Sequence, residues 1–381
     1  MARAGAPLSS EHANMALRYC RTCVYPDTKP GIRFDEEGIC SGCRAQAAKR
    51  ERIDWRARRR ALEAVAAAYR GKAAYDCLIP VSGGKDSHAQ VRYAKLELGL
   101  RPLCVSVAPQ MATPEGEANL RNLRERYAVD LLVLQPNPDV SRRIARAGFL
   151  KNAWPNWGHD KLIYSWPARV AADFGIPLVI MGENHDFESG GKDLGLGADA
   201  FYQMLHSLDG ELDMAAWRGF GFAPAELGAY LAPPPEKVRA AALKIIWMGY
   251  YIEWDSHRIY ELAAADGFRL LAAPRDGTID AYHGIDDWVV PVNAWLKFVK
   301  FGFGRVTDVA FNHIAYGRLS REEAVALVNE REGVLDRATK DAFCEFTDLS
   351  EQAFDEVVAR FANPAIVAFR DGRWRLKEPA H

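Results

Sequence analysis

No apolar run in the 381 residues approaches the roughly 18 needed for a membrane-spanning helix. The first residues carry no basic-then-apolar stretch of the kind that directs secretion, so a cytoplasmic protein without membrane association is expected. Neither sign of charge prevails: 49 Lys and Arg stand against 50 Asp and Glu, a net charge of −1. That balance argues against an extended nucleic-acid footprint. There is no internal repeat and no low-complexity tract. Cysteine is scarce, with seven residues in all, and in a reducing compartment these are expected as thiols or metal ligands rather than disulfides. The rest is ordinary for a globular enzyme, with 49% hydrophobic and 26% charged residues and length enough for two or three domains.

The chain is arranged around Leu78-Ile79-Pro80-Val81-Ser82-Gly83-Gly84-Lys85-Asp86-Ser87-His88. This reads as an apolar strand, a glycine turn, and a helix opening on Asp86 and Ser87. Gly83 and Gly84 have no side chains, so their backbone N–H groups can approach a phosphate closely. The helix start adds unpaired donors and the positive end of its dipole, Lys85 adds a full charge, and Ser87 adds a hydroxyl. Such a turn is a candidate polyphosphate cradle. It is not the common P-loop, because Gly84-Lys85 is followed by Asp86 and the earlier glycine position holds Ile79. Residues 82–87 instead resemble the pyrophosphate loop, Ser-Gly-Gly-x-Asp-Ser, of the N-type ATP pyrophosphatases. The resemblance implies transfer of AMP to a carbonyl oxygen, release of pyrophosphate, and displacement of AMP by a nitrogen or sulfur nucleophile.

Two Cys-x-x-Cys pairs, Cys20-Arg21-Thr22-Cys23 and Cys40-Ser41-Gly42-Cys43, flank residues 24–39. This is the spacing of a zinc site closed by four thiolates, with an iron–sulfur cluster as the weaker alternative. Four protein ligands leave no open position, so the zinc is read as structural. Residues 44–70, rich in Ala, Arg and Glu, predict a helix whose basic run at 56–60 is expected to be solvated rather than bound to RNA.

From residue 75 strands and helices alternate. Strands are expected at 75–81, 102–107, 130–134 and 177–181, and helices at 87–98, 115–127, 140–149 and 161–174. The pattern predicts an α/β fold with a doubly wound, mostly parallel sheet covered on both faces. Ligands of such sheets bind beyond the carboxyl ends of the strands, where loops 82–87, 108–113 and 182–185 converge. In Gly182-Glu183-Asn184-His185-Asp186, Glu183 and Asn184 are candidates to hold Mg²⁺, ribose or the reacting group. Trp154, Trp157 and Trp166, close to His159 and Asp160, either stack a ligand or pack a core. His88 and Asn119 receive no assignment. Ser189-Gly190-Gly191 and Gly195-Leu196-Gly197 mark a linker or lid.

After residue 200 the alternation stops, and helical patterns at 236–247, 256–266, 293–301, 321–330 and 351–361 predict a helical extension. The expected division is a zinc-binding segment at 1–45, an ATP-binding domain at 46–200, and a helical C-terminal domain at 201–381. Within the last, Lys297 and Lys300 share a helix face, and Gly302 and Gly304 allow a turn that presents Arg305. These cations either grip a diphosphate or carboxylate or remain solvated.

Together these pieces resemble the N-acetyl sugar amidotransferase family, a branch of the PP-loop superfamily in bacterial O-antigen and lipopolysaccharide biosynthesis. The resemblance is carried by the two cysteine pairs, residues 82–87, Gly182-Glu183-Asn184, Tyr251-Ile252-Glu253-Trp254-Asp255, Asp286-Asp287, residues 297–308, and Tyr316-Gly317-Arg318-Leu319-Ser320-Arg321-Glu322-Glu323-Ala324. It implies an adenine nucleotide α-hydrolase-like fold and an AMP-forming amidotransferase. That enzyme would adenylate the N-acetyl group of a UDP-linked diacetamido sugar acid and replace its oxygen with ammonia-derived nitrogen. The implied cofactors are ATP, Mg²⁺ and structural Zn²⁺. The implied partners are the nucleotide sugar and a separate glutaminase of the histidine-biosynthesis type with a cyclase-like subunit. That fits a chain in which no cysteine has a nucleophile's setting. In this reading Ser82, Gly83, Gly84, Lys85, Asp86, Ser87 and Asn184 bind the nucleotide, while Lys85, Asp86 and Glu183 act in catalysis. Lys297, Lys300 and Arg305 hold the anionic sugar, and Cys20, Cys23, Cys40 and Cys43 bind the metal. One rival is a tRNA-modifying thiolase or lysidine-type enzyme, which needs a broad basic surface and often a persulfide cysteine; Cys77 and Cys104 fall in predicted strands. Another is a non-catalytic ATP-binding subunit.

Overall fold

A computed structural model describes residues 17–184, 188, 200, 220–231 and 233–381. Its centre is a five-stranded sheet of order β3-β2-β1-β4-β5, formed by β1 (Cys77–Pro80), β2 (Pro102–Val107), β3 (Asp130–Leu134), β4 (Leu178–Met181) and β5 (Lys244–Trp247). All neighbouring pairs are parallel, with Cys77 opposite Pro102, Leu103 opposite Asp130, Leu78 opposite Val179, and Leu178 opposite Lys244. Both faces are covered, which is why β2 and β4 are buried along their whole length rather than alternating. Successive residues feed opposite cores. Ile79 joins Ala89, Leu123, Ile180 and Ile246 on one face. Leu78 joins Val105, Ala171, Val179 and Ile245 on the other. The chain runs outward from β1 to β3 and then crosses back to β4, so the winding direction reverses between β1 and β4. Open sheets of this kind bind ligands at that switch point.

The doubly wound parallel architecture, the N-terminal cysteine segment and the helical C-terminal region are as the sequence predicts. Three local details differ. The helix expected over 236–247 is a short helix, Pro235–Ala240, followed by β5, so the sheet takes its fifth strand from beyond residue 200. Ala242 turns the chain at a φ of 47°, and Ile245, Ile246 and Trp247 are buried against β4. So short an apolar run does not by its period distinguish a buried strand from a helix. The helix expected over 44–70 is two, Ser41–Arg52 and Trp55–Tyr69, because Asp54 caps the second by accepting from the Ala57 N–H at 2.9 Å. The C-terminal region also ends in an antiparallel hairpin, β6 (Val367–Arg370) with β7 (Arg373–Leu376).

The basic run is tied into the fold. Arg58 lies 3.8 Å over the Tyr250 ring and donates to the Tyr250 carbonyl at 2.7 Å, and Arg59 pairs with Glu97 at 2.9 Å. Cys77 and Cys104 are fully buried in β1 and β2. Burial pushes both thiols up, Cys104 to about 12, a poor setting for a persulfide carrier. Among the described residues no helix is long and apolar enough to cross a membrane.

Candidate active site

The loop after β1 shapes itself before it meets any ligand. The Ser82 N–H donates to Ser87 Oγ at 2.8 Å, and the Gly84 N–H donates to Ser82 Oγ at 3.1 Å. The loop rests backbone to backbone on the start of the helix Pro114–Tyr127. A Cβ at residue 83 would fall 2.3 Å from the Gly116 carbonyl oxygen, so only glycine fits. The Lys85 ammonium lies 2.7 Å from Asp86 Oδ2, and Asp86 Oδ1 accepts from Trp254 Nε1 at 3.2 Å. His88 and Asn119 have packing roles. His88, held uncharged by burial, contacts Asn122 Oδ1 and the Gly84 carbonyl. Asn119 brackets Arg269, accepting from its N–H at 2.8 Å and donating to its carbonyl at 3.0 Å.

A second wall comes from far along the chain. The Asp287 carboxylate accepts from the backbone N–H groups of Gln110 (3.0 Å), Met111 (3.2 Å) and Val289 (2.8 Å), and the Thr113 N–H donates to the Asp286 carbonyl. The loop after β2 is therefore stitched to residues 285–289. Burial pushes the Asp287 carboxyl up to about 7.

Two cavities meet at this seam. The first, about 340 Å³, lies beyond the ends of β1, β2 and β4, among Gln90, Pro109, His159, Asp160, Met181 and Trp247. The second, about 320 Å³, is walled by Lys85, Trp254, Tyr282, His283, Arg305 and Asp308. Ser82, Asp86, Glu183, Asp286 and Val290 face both. In the first cavity Asp160 accepts from Trp154 Nε1 at 3.1 Å, and burial raises its carboxyl to about 7 while lowering His159 to about 4. Trp154 thus positions a carboxyl group, while Trp157 and Trp166 pack against apolar clusters.

The three cations expected to act together do not converge. Arg305 lines the second cavity; Lys297 and Lys300 line neither. Lys300 donates to the carbonyls of Asn152 (3.3 Å) and Ala153 (3.0 Å), at the C-terminal end of the helix Pro138–Asn152. Lys297 sits 2.5 Å from Asp308 Oδ2, whose other oxygen is 3.3 Å from Lys29. Burial opposes ionisation of Asp308, but Lys29, Lys297 and Arg305 outweigh it and hold the carboxyl far below its usual range. Asn184 is buried beside the switch point, whereas His185, Asp186 and the glycine-rich stretches at 189–191 and 195–197 lie outside the described residues.

The sequence reading assigns no role to His283 or to the polar network behind it. Arg318 grips Asp255 with two bonds of 2.7 and 2.8 Å and donates from Nε to His313 Nδ1 at 2.9 Å. That bond fixes the other nitrogen of His313 as the donor to Asp280 Oδ2, 2.9 Å away. His283, on the adjoining turn, is pushed well below its usual range by burial and then by Lys85 and Arg305, so its imidazole is uncharged. For His283 the available signal was Asp280-Ala281-Tyr282-His283-Gly284, a turn with a carboxylate and an imidazole at close spacing, while Asp255 and Arg318 stand in segments that carry the family resemblance.

Away from the cavities, the sulfurs of Cys20, Cys23, Cys40 and Cys43 all lie within 4.8 Å of one another and could hold a metal ion. The Thr22, Tyr25 and Cys43 N–H groups point at Cys20, Cys23 and Cys40 sulfurs at 3.3–3.4 Å, as donors suited to thiolates. The knuckle docks on the helix Arg305–Ala315, where Tyr25 stacks on Phe311 with ring centres 4.4 Å apart.

An uncharacterized protein of Methanocaldococcus jannaschii is 28% identical over 169 residues, 44% of this chain, and the match spans 60% of that protein's length. Among solved structures, NMN synthetase from Francisella tularensis matches 78% of this chain and 98% of its own, with a TM-score of 0.36 and 13% identity. The U34-tRNA thiolase NcsA from Methanococcus maripaludis, with its [4Fe-4S] cluster, matches 80% and 88%, with a TM-score of 0.32 and 12% identity. NAD⁺ synthetase from Burkholderia pseudomallei matches 61% and 95%, with a TM-score of 0.25 and 19% identity. Residues 276–378 match the family described as LPS biosynthesis protein WbpG-like, C-terminal domain. The segment that supplies Tyr282, His283, Asp286 and Arg305 to the second cavity is therefore the one similar to a domain of lipopolysaccharide-biosynthesis proteins.

Proposed function

We propose that this chain is an ATP-dependent, AMP-forming amidotransferase acting in the cytoplasm, which converts an acetamido group of a UDP-linked diacetamido sugar acid into an acetamidino group for surface polysaccharide. The observation that carries the reading is the partition. Asp86, Glu183 and Asp286 stand between a cavity at the sheet's switch point and a second one walled by the region similar to a lipopolysaccharide-biosynthesis domain. ATP occupies the first, with its β- and γ-phosphates on residues 82–87 and its α-phosphorus at the partition. The sugar's N-acetyl group enters from the second.

The amide oxygen attacks the α-phosphorus, the bond to the β-phosphate oxygen breaks, and pyrophosphate leaves onto the loop. Lys85 neutralises the charge that develops there, and Asp86 keeps its ammonium aimed by the 2.7 Å contact. Ammonia then adds at carbon, His283 takes the proton the nitrogen gives up, and the C–O bond breaks with its electron pair leaving on AMP. Arg305 pairs with the diphosphate or carboxylate of the sugar. Bound Mg²⁺, held by the carboxylates of Asp86 and Glu183 with phosphate oxygens, would supply further charge neutralisation. Zn²⁺ fits the four cysteines: bonds of about 2.3 Å in a tetrahedron place sulfurs about 3.8 Å apart, and two of the contacts are 3.8 and 3.6 Å. A cubane cluster between them would hold the sulfurs farther apart. Ammonia would come from a separate glutaminase of the histidine-biosynthesis type working with a cyclase-like subunit.

The test is mass spectrometry of UDP-diacetamido-uronate after incubation with ATP, Mg²⁺ and ammonium. A product lighter by about 1 Da, as oxygen becomes NH, with AMP and pyrophosphate in equal amounts, is the expected result. Accumulation of ADP, or an acceptor of unchanged mass, overturns the reading.

A further inference from the structure

Behind the second cavity lies a third, much smaller space. It holds about 20 Å³, room for roughly one molecule the size of water. Its outer rim includes the exposed Asp276, with Gly277, Gly333 and Val334 around it. Its inner end is formed by His283, Gly284, Val290 and Arg305, which also line the second cavity. The two spaces are thus separated by a single layer of side chains with His283 in it.

The lining shows what this space can take. Thr278 is only 4% exposed, and its hydroxyl has no hydrogen-bond partner among the described residues. A buried hydroxyl without a partner is costly, so it calls for a small polar guest. The guest is not expected to be a cation. Arg275 and Arg305 both face the space. Of its two carboxylates, Asp276 is exposed at the rim, and Glu332 is already occupied: its Oε2 accepts from the Thr307 N–H at 2.8 Å and the Thr307 hydroxyl at 2.7 Å. An anion larger than water does not fit. What remains is a neutral, water-sized hydrogen-bonding molecule.

We infer that this space is the port through which ammonia reaches the second cavity, from the rim at Asp276 past Thr278 to His283. The inference rests on the amidotransferase reading of the site and adds the route to it. The second cavity is filled by a sugar nucleotide during turnover, so a nucleophile needs another way in. The port opens on the face made by residues 275–278 and 332–334, where a partner that releases ammonia would have to dock. At its inner end, the uncharged imidazole of His283 meets the nitrogen at the point where a proton must be lost. The nitrogen lone pair forms the new C–N bond, one N–H proton passes to His283, and AMP departs with the oxygen.

Ala294→Leu, which adds bulk to the wall of the port but does not touch the two larger cavities, tests this. Two rates are read on the full-length protein. One is ATP–pyrophosphate exchange in the presence of UDP-diacetamido-uronate, which needs no ammonia. The other is acetamidino product formation against ammonium chloride at fixed pH. The variant is expected to keep its exchange rate while its KM for ammonium rises at least tenfold. Thr278→Val, which keeps the shape and removes the hydroxyl, should raise the same KM severalfold and serves if the leucine variant does not fold. An unchanged ammonium KM in a variant that still exchanges overturns the port, as does a fall in exchange and product formation by the same factor. If the unmodified protein shows no acceptor-dependent exchange, the amidotransferase reading itself is wrong and the port falls with it.

Discussion

Lys29 Nζ lies 3.3 Å from Asp308 Oδ1, and this contact joins the cysteine knuckle to the wall of the second cavity. Asp308 is one turn along the same helix from Arg305, and Lys297 holds its other oxygen. The knuckle is thus a brace for the element that presents the one cavity-facing cation of the predicted three. Lys29→Met leaves Asp308 paired with Lys297, with only Arg305 as a further cation near it, and should cost about 2 kcal/mol in denaturant unfolding, with a raised KM for the sugar nucleotide. Cys40→Ser should lower zinc content and stability together; an undiminished zinc stoichiometry would remove the metal assignment. The Asp308 carboxyl is held below its usual range, so its contribution is present at neutral pH. It is lost only as pH falls below the usual carboxylate range toward the depressed value.

Lys300 and Arg305 separate in the same kind of experiment. Lys300 caps the helix Pro138–Asn152 through the Asn152 and Ala153 carbonyls, and burial lowers its ammonium to about 8. Lys300→Met should cost about 1 kcal/mol of stability and leave the sugar KM unchanged. Arg305→Ala should raise that KM tenfold or more with little change in stability. The reverse pattern, read by thermal unfolding and steady-state kinetics, would return Lys300 to the substrate.

Why the sequence showed Arg305 and Lys300 as alike is a matter of periodicity. Positions three apart share a helix face, but period does not say whether that face meets a cavity or the end of another helix. The turn at 82–87 was legible because what shapes it is local: two glycines and the hydroxyls of Ser82 and Ser87 set it within six residues. The cysteine cluster was legible for the same reason. His283, Trp254 and the Asp287 stitch were not, because each acts on residues more than a hundred positions away: Trp254 on Asp86, Asp287 on Gln110 and Met111. Strand β5 was hidden because three apolar residues, Ile245, Ile246 and Trp247, after a short helix fit either period.

The first cavity carries a pH signature. Burial raises Asp160 to about 7, so between its unfolded value near 4 and about 7 the native state binds the proton more tightly. Stability from this group is therefore greatest at low pH and declines as pH rises through that window. Asp160→Asn keeps an acceptor for Trp154 Nε1 and removes the titration. The variant should match the parent near pH 4 and exceed it at pH 8 by about 1–3 kcal/mol, below the roughly 4 kcal/mol ceiling of a three-unit shift. Equal pH slopes for the two proteins in thermal unfolding would show that Asp160 does not titrate there.

The contact between Asp86 and Trp254 yields the last test, which separates holding a group from aiming it. Asp86 stands on the partition, with one carboxylate oxygen 2.7 Å from Lys85 and the other 3.2 Å from the Trp254 indole. Asp86→Ala removes the carboxylate and leaves Lys85 unaimed, so acceptor-dependent pyrophosphate exchange should fall by 10³-fold or more, with the unfolding transition retained. Trp254→Phe keeps the ring that packs beneath the loop and removes only the N–H. Asp86 is then held by Lys85 alone and loses the second contact that fixes its orientation. Exchange should fall about fivefold through kcat, since one hydrogen bond of about 1 kcal/mol fixes the orientation, while the KM for ATP stays put because the proposed phosphate cradle at 82–87 is unaltered. If Trp254→Phe shifted KM and left kcat intact, the indole would be a ligand contact and not the group that aims Asp86.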